Sequence, residues 1–133
     1  MYQVKDAEFH VSKALPAEAG AVYSDGLDLR IPSSGQFLAP AEILITGPAL
    51  TNAQLGSAAT MTYDVQCAPD AEFAGVRTLA QAVLVQTGDG TGASAASARF
   101  RPPTNCDRYV RIKATNSAAG DCSDAALSVD LLF

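Results

Sequence analysis

The chain has 133 residues, of which 14 are acidic and 9 are basic, so its formal net charge is −5 at pH 7. This balance argues against a general nucleic-acid binder, because phosphate contacts need an excess of Lys and Arg. The length predicts one domain over residues 1–133, and the 25 alanines among its hydrophobic residues predict a modest core.

The first forty residues are interrupted every few positions by proline or glycine. Such punctuation breaks regular elements, so we expect residues 1–40 to form a less regular N-terminal arm or outer strands. Within this region, Gly26–Ile31 is a candidate strand. Tyr2, Val4 and Phe9 either form a first strand, which the spacing of Tyr2 and Val4 favours, or find burial in a partner.

Strands are predicted along the rest of the chain by period-two alternation of apolar and polar residues. The clearest pattern is Thr60–Cys67, which places Met61, Tyr63, Val65 and Cys67 on one face. The other candidate strands are Glu42–Ile45, Ser97–Arg101, Arg108–Ala114 and Leu127–Phe133.

Val76–Val85 matches both helical and strand spacing. We favour a strand, because the sequence at 82–85 is rich in β-branched residues and a glycine-rich turn follows it. That turn, GDGTG at 88–92, predicts a tight hairpin with glycines at positive φ. The preceding segment Asp70–Gly75 is expected to be a short helical turn or a loop.

Turn signals recur every eight to twelve residues between these short strands. This spacing favours an antiparallel sheet architecture over an alternating α/β fold. The predicted fold is therefore all-β, an antiparallel jelly-roll-like β-sandwich.

Membrane insertion and export are both unsupported by the sequence. No uncharged stretch approaches the roughly 18 apolar residues needed to cross a bilayer, and the start MYQVKDAEF lacks the pattern of a secretory signal. The three cysteines, Cys67, Cys106 and Cys122, are odd in number and lack CxxC spacing. We expect free thiols in a reducing cytosol rather than a disulfide framework.

Catalytic, cofactor and metal sites are all expected to be absent. The single histidine, His10, has no neighbouring ligand for zinc. Cys106 lies among arginines, but His10 is the only imidazole that could activate it, so a structural thiol is favoured. The loop at 88–92 lacks the lysine of a phosphate-binding loop and the ligand pattern of a calcium loop.

Carbohydrate recognition is the alternative function. Asp121, Asp124 and Asp130 are too sparse for a cation site, and the chain has no Trp for sugar stacking. A carbohydrate-binding module, or a small sandwich enzyme acting on bacterial surface glycans, would need a concave sheet face lined by Tyr63 and Tyr109 with nearby Asp or Asn.

A basic stripe interrupts the acidic chain within fifteen positions. Its five members are Arg99, Arg101, Arg108, Arg111 and Lys113. The stripe is either a solvated sheet face paired with nearby carboxylates or a docking surface for an acidic protein partner. These five residues are our candidates for partner binding.

The order of motifs resembles the small β-sandwich cement or decoration proteins of tailed-bacteriophage capsids. The similarity comprises Leu79–Val85, then GDGTG at 88–92, then the RFRPP block Arg99–Pro103 and the RYVRI block Arg108–Ile112. It extends from the MYQVKDAEF start to the terminal strand.

The resemblance implies a non-enzymatic virion structural protein. Such a protein is made in the bacterial host cytoplasm, binds the outside of a phage head and bridges subunits of the major capsid protein. It implies a homo-oligomer, for which we expect a dimer. The net charge and the short apolar stretches, not the resemblance, argue against nucleic-acid and membrane partners. The resemblance supplies no residue-level binding motif.

Overall fold

The computed structural model describes residues 5–29 and 42–132, with side chains from His10 onward. The described residues form nine strands and no helix. The strands are β1 Lys5–Ala14, β2 Gly20–Tyr23, β3 Leu27–Asp28, β4 Glu42–Gly47, β5 Thr60–Ala68, β6 Arg77–Thr87, β7 Ala96–Phe100, β8 Tyr109–Asn116 and β9 Ala126–Leu132.

The strands form two antiparallel sheets. Sheet A has the order β1-β9-β4-β7, and sheet B has the order β2-β8-β5-β6, with β3 also paired to β8. Because β2 and β3 pair with successive lengths of β8, they act as two halves of one interrupted edge strand. Counting them as one gives the eight-strand order of a jelly roll. The predicted all-β sandwich is confirmed.

The core lies between the sheets and follows the predicted alternation. Met61, Tyr63, Val65 and Cys67 of β5 are fully buried, as predicted. On β8, Val110 and Ile112 point inward while Tyr109, Arg111 and Lys113 alternate with them. Sheet A contributes Ile43, Ile45, Leu127 and Val129 to the same cluster. The period-two pattern in the sequence therefore correctly predicts which residues of these strands face the core and which face the surface.

The ambiguous segment at 76–85 is a strand from Arg77 onward, where it forms most of β6. Its pairing with β5 contains two register shifts, near Asp64 and Val65. At the bulge Ala82 has a φ of 52°, and its N–H donates to Asp64 Oδ1 at 2.8 Å. Periodicity alone fits both a helix and a strand here, and pairing with β5 selects the strand.

The predicted hairpin at 88–92 is wrong. β6 belongs to sheet B and β7 to sheet A, so this loop crosses between the sheets instead of joining paired neighbours. The predicted glycine conformations do occur, with φ of 96° at Gly90 and 106° at Gly92. The Asp89 carboxylate accepts hydrogen bonds from the N–H and the hydroxyl of Thr91. These bonds hold the pKa of Asp89 below its usual value.

The N-terminal region supplies outer strands in its described part. β1 is one edge of sheet A, and β2 with β3 is one edge of sheet B. The candidate strand at 26–31 is seen as β3, and positions 30 and 31 lie outside the described residues. Tyr2, Val4 and Phe133 also lie outside them, as does the side chain of Phe9.

A buried polar bridge joins the two sheets. The Tyr63 hydroxyl donates to Gln86 Oε1 at 2.6 Å, and Gln86 Nε2 donates to the carbonyls of Pro48 and Ser94 at 2.8 and 2.9 Å. A Cβ at Gly47 would lie 2.6 Å from Gln86 Oε1, so only glycine leaves room for the amide. Burial raises the pKa of Tyr63 and keeps its hydroxyl protonated as a donor.

Replacing Tyr63 by Phe should lower the free energy of unfolding by about 1–3 kcal/mol, because it removes the donor to the buried Gln86 oxygen. Urea denaturation followed by circular dichroism measures the change. Thr87→Ala, at an exposed position beside Gln86, is the control and should change stability by less than about 0.5 kcal/mol. Equal effects of the two substitutions would contradict the bridge.

Candidate interaction surface

The candidate surface is the outer face of sheet B, centred on β8. This strand is paired on both sides, with β5 along one edge and with β2 and β3 along the other. Its outward residues include Tyr109, Arg111 and Lys113, and all three are partly exposed. The centre of this face therefore presents one aromatic and two cationic side chains on a hydrogen-bonded support.

Arg111 contacts two aromatic rings. Its guanidinium carbon lies 4.2 Å from the ring centroid of Tyr23 and 4.4 Å from that of Phe73. Its Nε also donates to Gln66 Oε1 at 2.9 Å. Cation–π contacts with two rings and a hydrogen bond from Nε fix the position of the charge. We call Tyr23, Phe73 and Arg111 the aromatic clamp.

Phe73 reaches the clamp through a tight loop between β5 and β6. Phe73 has a φ of 57°, a conformation that non-glycine residues rarely adopt. Asp70 holds the loop, because its carboxylate accepts a hydrogen bond from the Ala74 N–H at 2.9 Å. The Phe73 ring packs against Gly26, where a Cβ would lie only 2.8 Å from a ring carbon. The glycine in the break between β2 and β3 therefore leaves room for the ring.

Arg108 forms a paired contact beside the clamp. Its Nε and one terminal nitrogen donate to the two carboxylate oxygens of Asp28 at 2.8 and 2.9 Å. Its guanidinium carbon also lies 5.2 Å from the ring centroid of Tyr109. Hydrogen bonding to Asp28 raises the pKa of Arg108. Arg108 thus fits the interpretation of a stripe paired with carboxylates.

The five basic residues do not form one stripe. Arg111 and Lys113 lie on β8 of sheet B and Arg108 directly precedes that strand, whereas Arg99 lies on β7 of sheet A and Arg101 directly follows it. Closeness in sequence gave the impression of one patch, but the chain changes sheets between them. Among the described residues, Lys113 and Arg101 have no ion-pair partner.

Sequence reasoning missed two of the three clamp residues. Tyr23 ends a four-residue edge strand, and Phe73 is the one aromatic residue in the loop Asp70–Gly75. An isolated aromatic residue in a polar loop was the available signal. This signal indicates that the Phe73 ring needs a packing partner, but it does not indicate that the partner is Arg111.

The three cysteines are buried free thiols. Cys106 Sγ donates to the Asp107 carbonyl at 3.1 Å, and burial raises the pKa of Cys106 to about 12. Burial also raises the pKa of Cys67 and of Cys122. A thiol of this kind stays protonated near neutral pH and is a poor nucleophile.

His10 is paired rather than isolated. Its Nδ1 lies 2.7 Å from Asp130 Oδ1, and Asp130 is buried. Across residues 5–29 and 42–132, no group of three or more His, Cys, Asp or Glu side chains could hold a metal ion. The same part of the chain contains no helix that is long and apolar enough to cross a membrane.

This chain has structural neighbours among known proteins. No protein-family model matches the sequence, and no curated protein matches it. Structural neighbours include a chain of infectious bursal disease virus, Gx strain, at 11% identity and a TM-score of 0.46, covering 99% of this chain and 31% of that one. A chain of the Gt strain matches at 13% identity and 0.47, covering 99% and 31%.

A third neighbour is the xylan-binding module CBM15, at 12% identity and a TM-score of 0.43, covering 99% of this chain and 95% of that one. This chain spans less than a third of the length of the viral chains that it matches. At these identities and TM-scores, the β-sandwich assignment rests on the strand order and pairing of this chain itself.

Replacing Arg111 by Lys should lower the free energy of unfolding by about 0.5–2 kcal/mol, because an ammonium group is not planar and cannot stack on the two rings as a guanidinium does. Lys113→Met, on the same strand and without an ion-pair partner in the described structure, is the matched control and should have little effect. Chemical denaturation of both variants tests this. A larger loss for Lys113→Met would contradict the clamp.

Alkaline pH should destabilise the fold through the buried thiols. Above the ordinary thiol pKa of 9.0, the unfolded chain releases its Cys106 proton while the folded chain retains it up to a pKa of about 12. Stability should therefore fall as pH rises from 9 towards 12, by up to about 1.4 kcal/mol per pH unit for one such thiol.

Urea midpoints between pH 7 and 11 measure this effect, and Cys106→Ala should make the decline shallower. An unchanged slope in this variant would contradict the assignment. A thiol reagent at pH 7.5 should label all three cysteines only after denaturation.

Proposed function

We propose that this chain is a non-enzymatic structural protein of a virion that binds the outside of a phage head and bridges neighbouring major capsid subunits. The observation that supports the proposal is the aromatic clamp, which holds Arg111 in place on the outer face of sheet B beside Lys113. This arrangement suits recognition of a protein surface.

Arginine and tyrosine are enriched among the residues that dominate protein interfaces. A fixed guanidinium is well suited to this role because binding need not immobilise a flexible side chain, which would oppose association. Tyr23 adds a ring that is 41% exposed. Arg111 and Lys113 together favour an acidic patch on the partner.

The proposed mechanism is multivalent attachment to a repeating shell. Many identical contacts around a symmetric head allow each copy to bind with modest affinity, and a homo-oligomeric chain gains further from linked binding events. In this proposal the chain is made in the host cytoplasm and acts on the capsid exterior. Salt should weaken attachment, since it screens exposed charges.

Co-sedimentation with heads tests the proposal. The proposal places the gene for a major capsid protein beside the gene for this chain, and the heads for the test are assembled from that protein. Binding is expected at low salt. Lys113→Glu on sheet B should weaken it at least about tenfold, because like charges juxtaposed at an interface oppose association. Arg101→Glu carries the same charge change beside sheet A and should have a smaller effect.

Absence of binding to such heads at low salt would contradict the proposal, as would a gene neighbourhood without capsid genes. A glycan array tests the alternative of carbohydrate binding. Of the two rings expected to stack on sugars, Tyr63 is fully buried in the core, and Arg108 lies against Tyr109. Saturable glycan binding without affinity for heads would favour the alternative.

A further inference from the structure

The edges of the two sheets differ in how well they are protected against pairing with another strand. β1 contains five charged or titratable residues in the sequence KDAEFHVSKA. β2 and β3 are only 4 and 2 residues long. β7 has 5 residues and is followed by Pro102 and Pro103. Charge, shortness and proline are the usual means of blocking edge pairing.

The remaining edge strand, β6, lacks these protections. It has 11 residues, and within the described chain it pairs on one side only, with β5. Its one charged residue is Arg77, at its first position. A long edge strand of this composition presents unpaired backbone donors and acceptors and has strong β propensity.

The exposed apolar side chains of the described surface concentrate at this edge. Three large hydrophobic residues are exposed, and two of them belong to this region: Val85 on β6, at 44%, and Val76 directly before the strand, at 40%. Val85 pairs with the outward residue Thr62 and therefore lies on the outer face of sheet B.

The bulge at Ala82 divides β6 and defines the segment available for pairing. The Ala82 N–H is already bonded to Asp64 Oδ1. From Leu84 to Thr87 the strand pairs with β5 in continuous register. Residues 83–87, with the sequence VLVQT, thus form a regular, uncharged stretch of edge centred on Val85.

We infer that residues 83–87 of β6 pair with the same residues of a second copy of this chain, antiparallel about a two-fold axis near Val85. The resulting dimer extends sheet B continuously across both copies. A two-fold axis at Val85 places Val85 opposite its own symmetry mate, residue 84 opposite 86 and residue 83 opposite 87, so a charge at the centre of this edge would face a like charge. The neutrality of 83–87 in a chain of net charge −5 therefore favours a second copy as the occupant.

This inference goes beyond the proposed function and concerns the free chain, so its test contains no capsid. Sedimentation velocity of the full chain over a wide concentration range should show a dimer with twice the 13.7 kDa chain mass. Val85→Lys should raise the dimer dissociation constant at least about tenfold, because it places two ammonium groups opposite each other.

The matched control is Ala21→Lys, which adds the same charge at an exposed position on the opposite edge of sheet B. It should leave the dissociation constant within about twofold of the wild type, because its charge lies far from the two-fold axis and is screened by salt. Circular dichroism checks that both variants remain folded. Hydrogen exchange provides a second readout that does not depend on substitution: amides within 83–87 should exchange more slowly as the chain concentration rises.

A chain that stays monomeric at every concentration would overturn the inference. So would a dimer that Ala21→Lys disrupts and Val85→Lys does not, or one in which amides of 83–87 gain no protection. If these amides are protected only after heads are added to a monomeric chain, the edge pairs with a capsid segment, which also overturns the dimer.

Discussion

The alternation of side chains along β8 is the constraint on which the rest of the structure depends. Val110, Ile112 and Ala114 point inward and are fully buried, which forces the residues between them onto the outer face of sheet B. Pairing on both sides of β8 keeps this register fixed, since a slip by one residue would bury Arg111 and Lys113. Burial of the core and presentation of the cations are therefore two consequences of one register.

Closure of the sandwich adds a second constraint. The buried bridge from Tyr63 through Gln86 connects sheet B to backbone carbonyls at the margin of sheet A. A polar group in this position is tolerated because its donors and acceptors are paired, and within the described residues no fully buried side-chain polar atom lacks a partner. Residues 88–95 cross between the sheets next to this bridge, which explains why neighbouring sequence motifs lie on different sheets.

The strands could be predicted from the sequence because each has its own period-two pattern. β5 and β8 follow this pattern closely. For β6, where the periodicity is ambiguous, the β-branched residues favour the strand over the helix. Contacts that depend on chain crossing could not be predicted. The loop at 88–92 has the turn chemistry of a hairpin, but only tertiary structure shows that its flanking strands belong to different sheets. For the same reason, the sequence does not show that Arg99 lies on sheet A whereas Arg108 lies beside a strand of sheet B.

The candidate surface was half predictable. Arg111 and Lys113 are visible as outward positions of one strand and Arg108 directly precedes it, whereas Tyr23 and Phe73 lie 88 and 38 residues away from Arg111 in sequence. Their approach depends on the break between β2 and β3 at Gly26 and on the positive φ of Phe73. Neither feature has a periodic signature, so the clamp appears only when the fold is known.

Hydroxyl-radical footprinting of the chain, alone and mixed with phage heads, tests most directly the proposal that the outer face of sheet B is the binding surface. The account predicts that binding shields Tyr23 and the outward residues of β8 from oxidation, while Arg99 and its neighbours on β7 stay equally reactive. Shielding confined to sheet A, or the same oxidation pattern in the free and head-mixed samples, would contradict it.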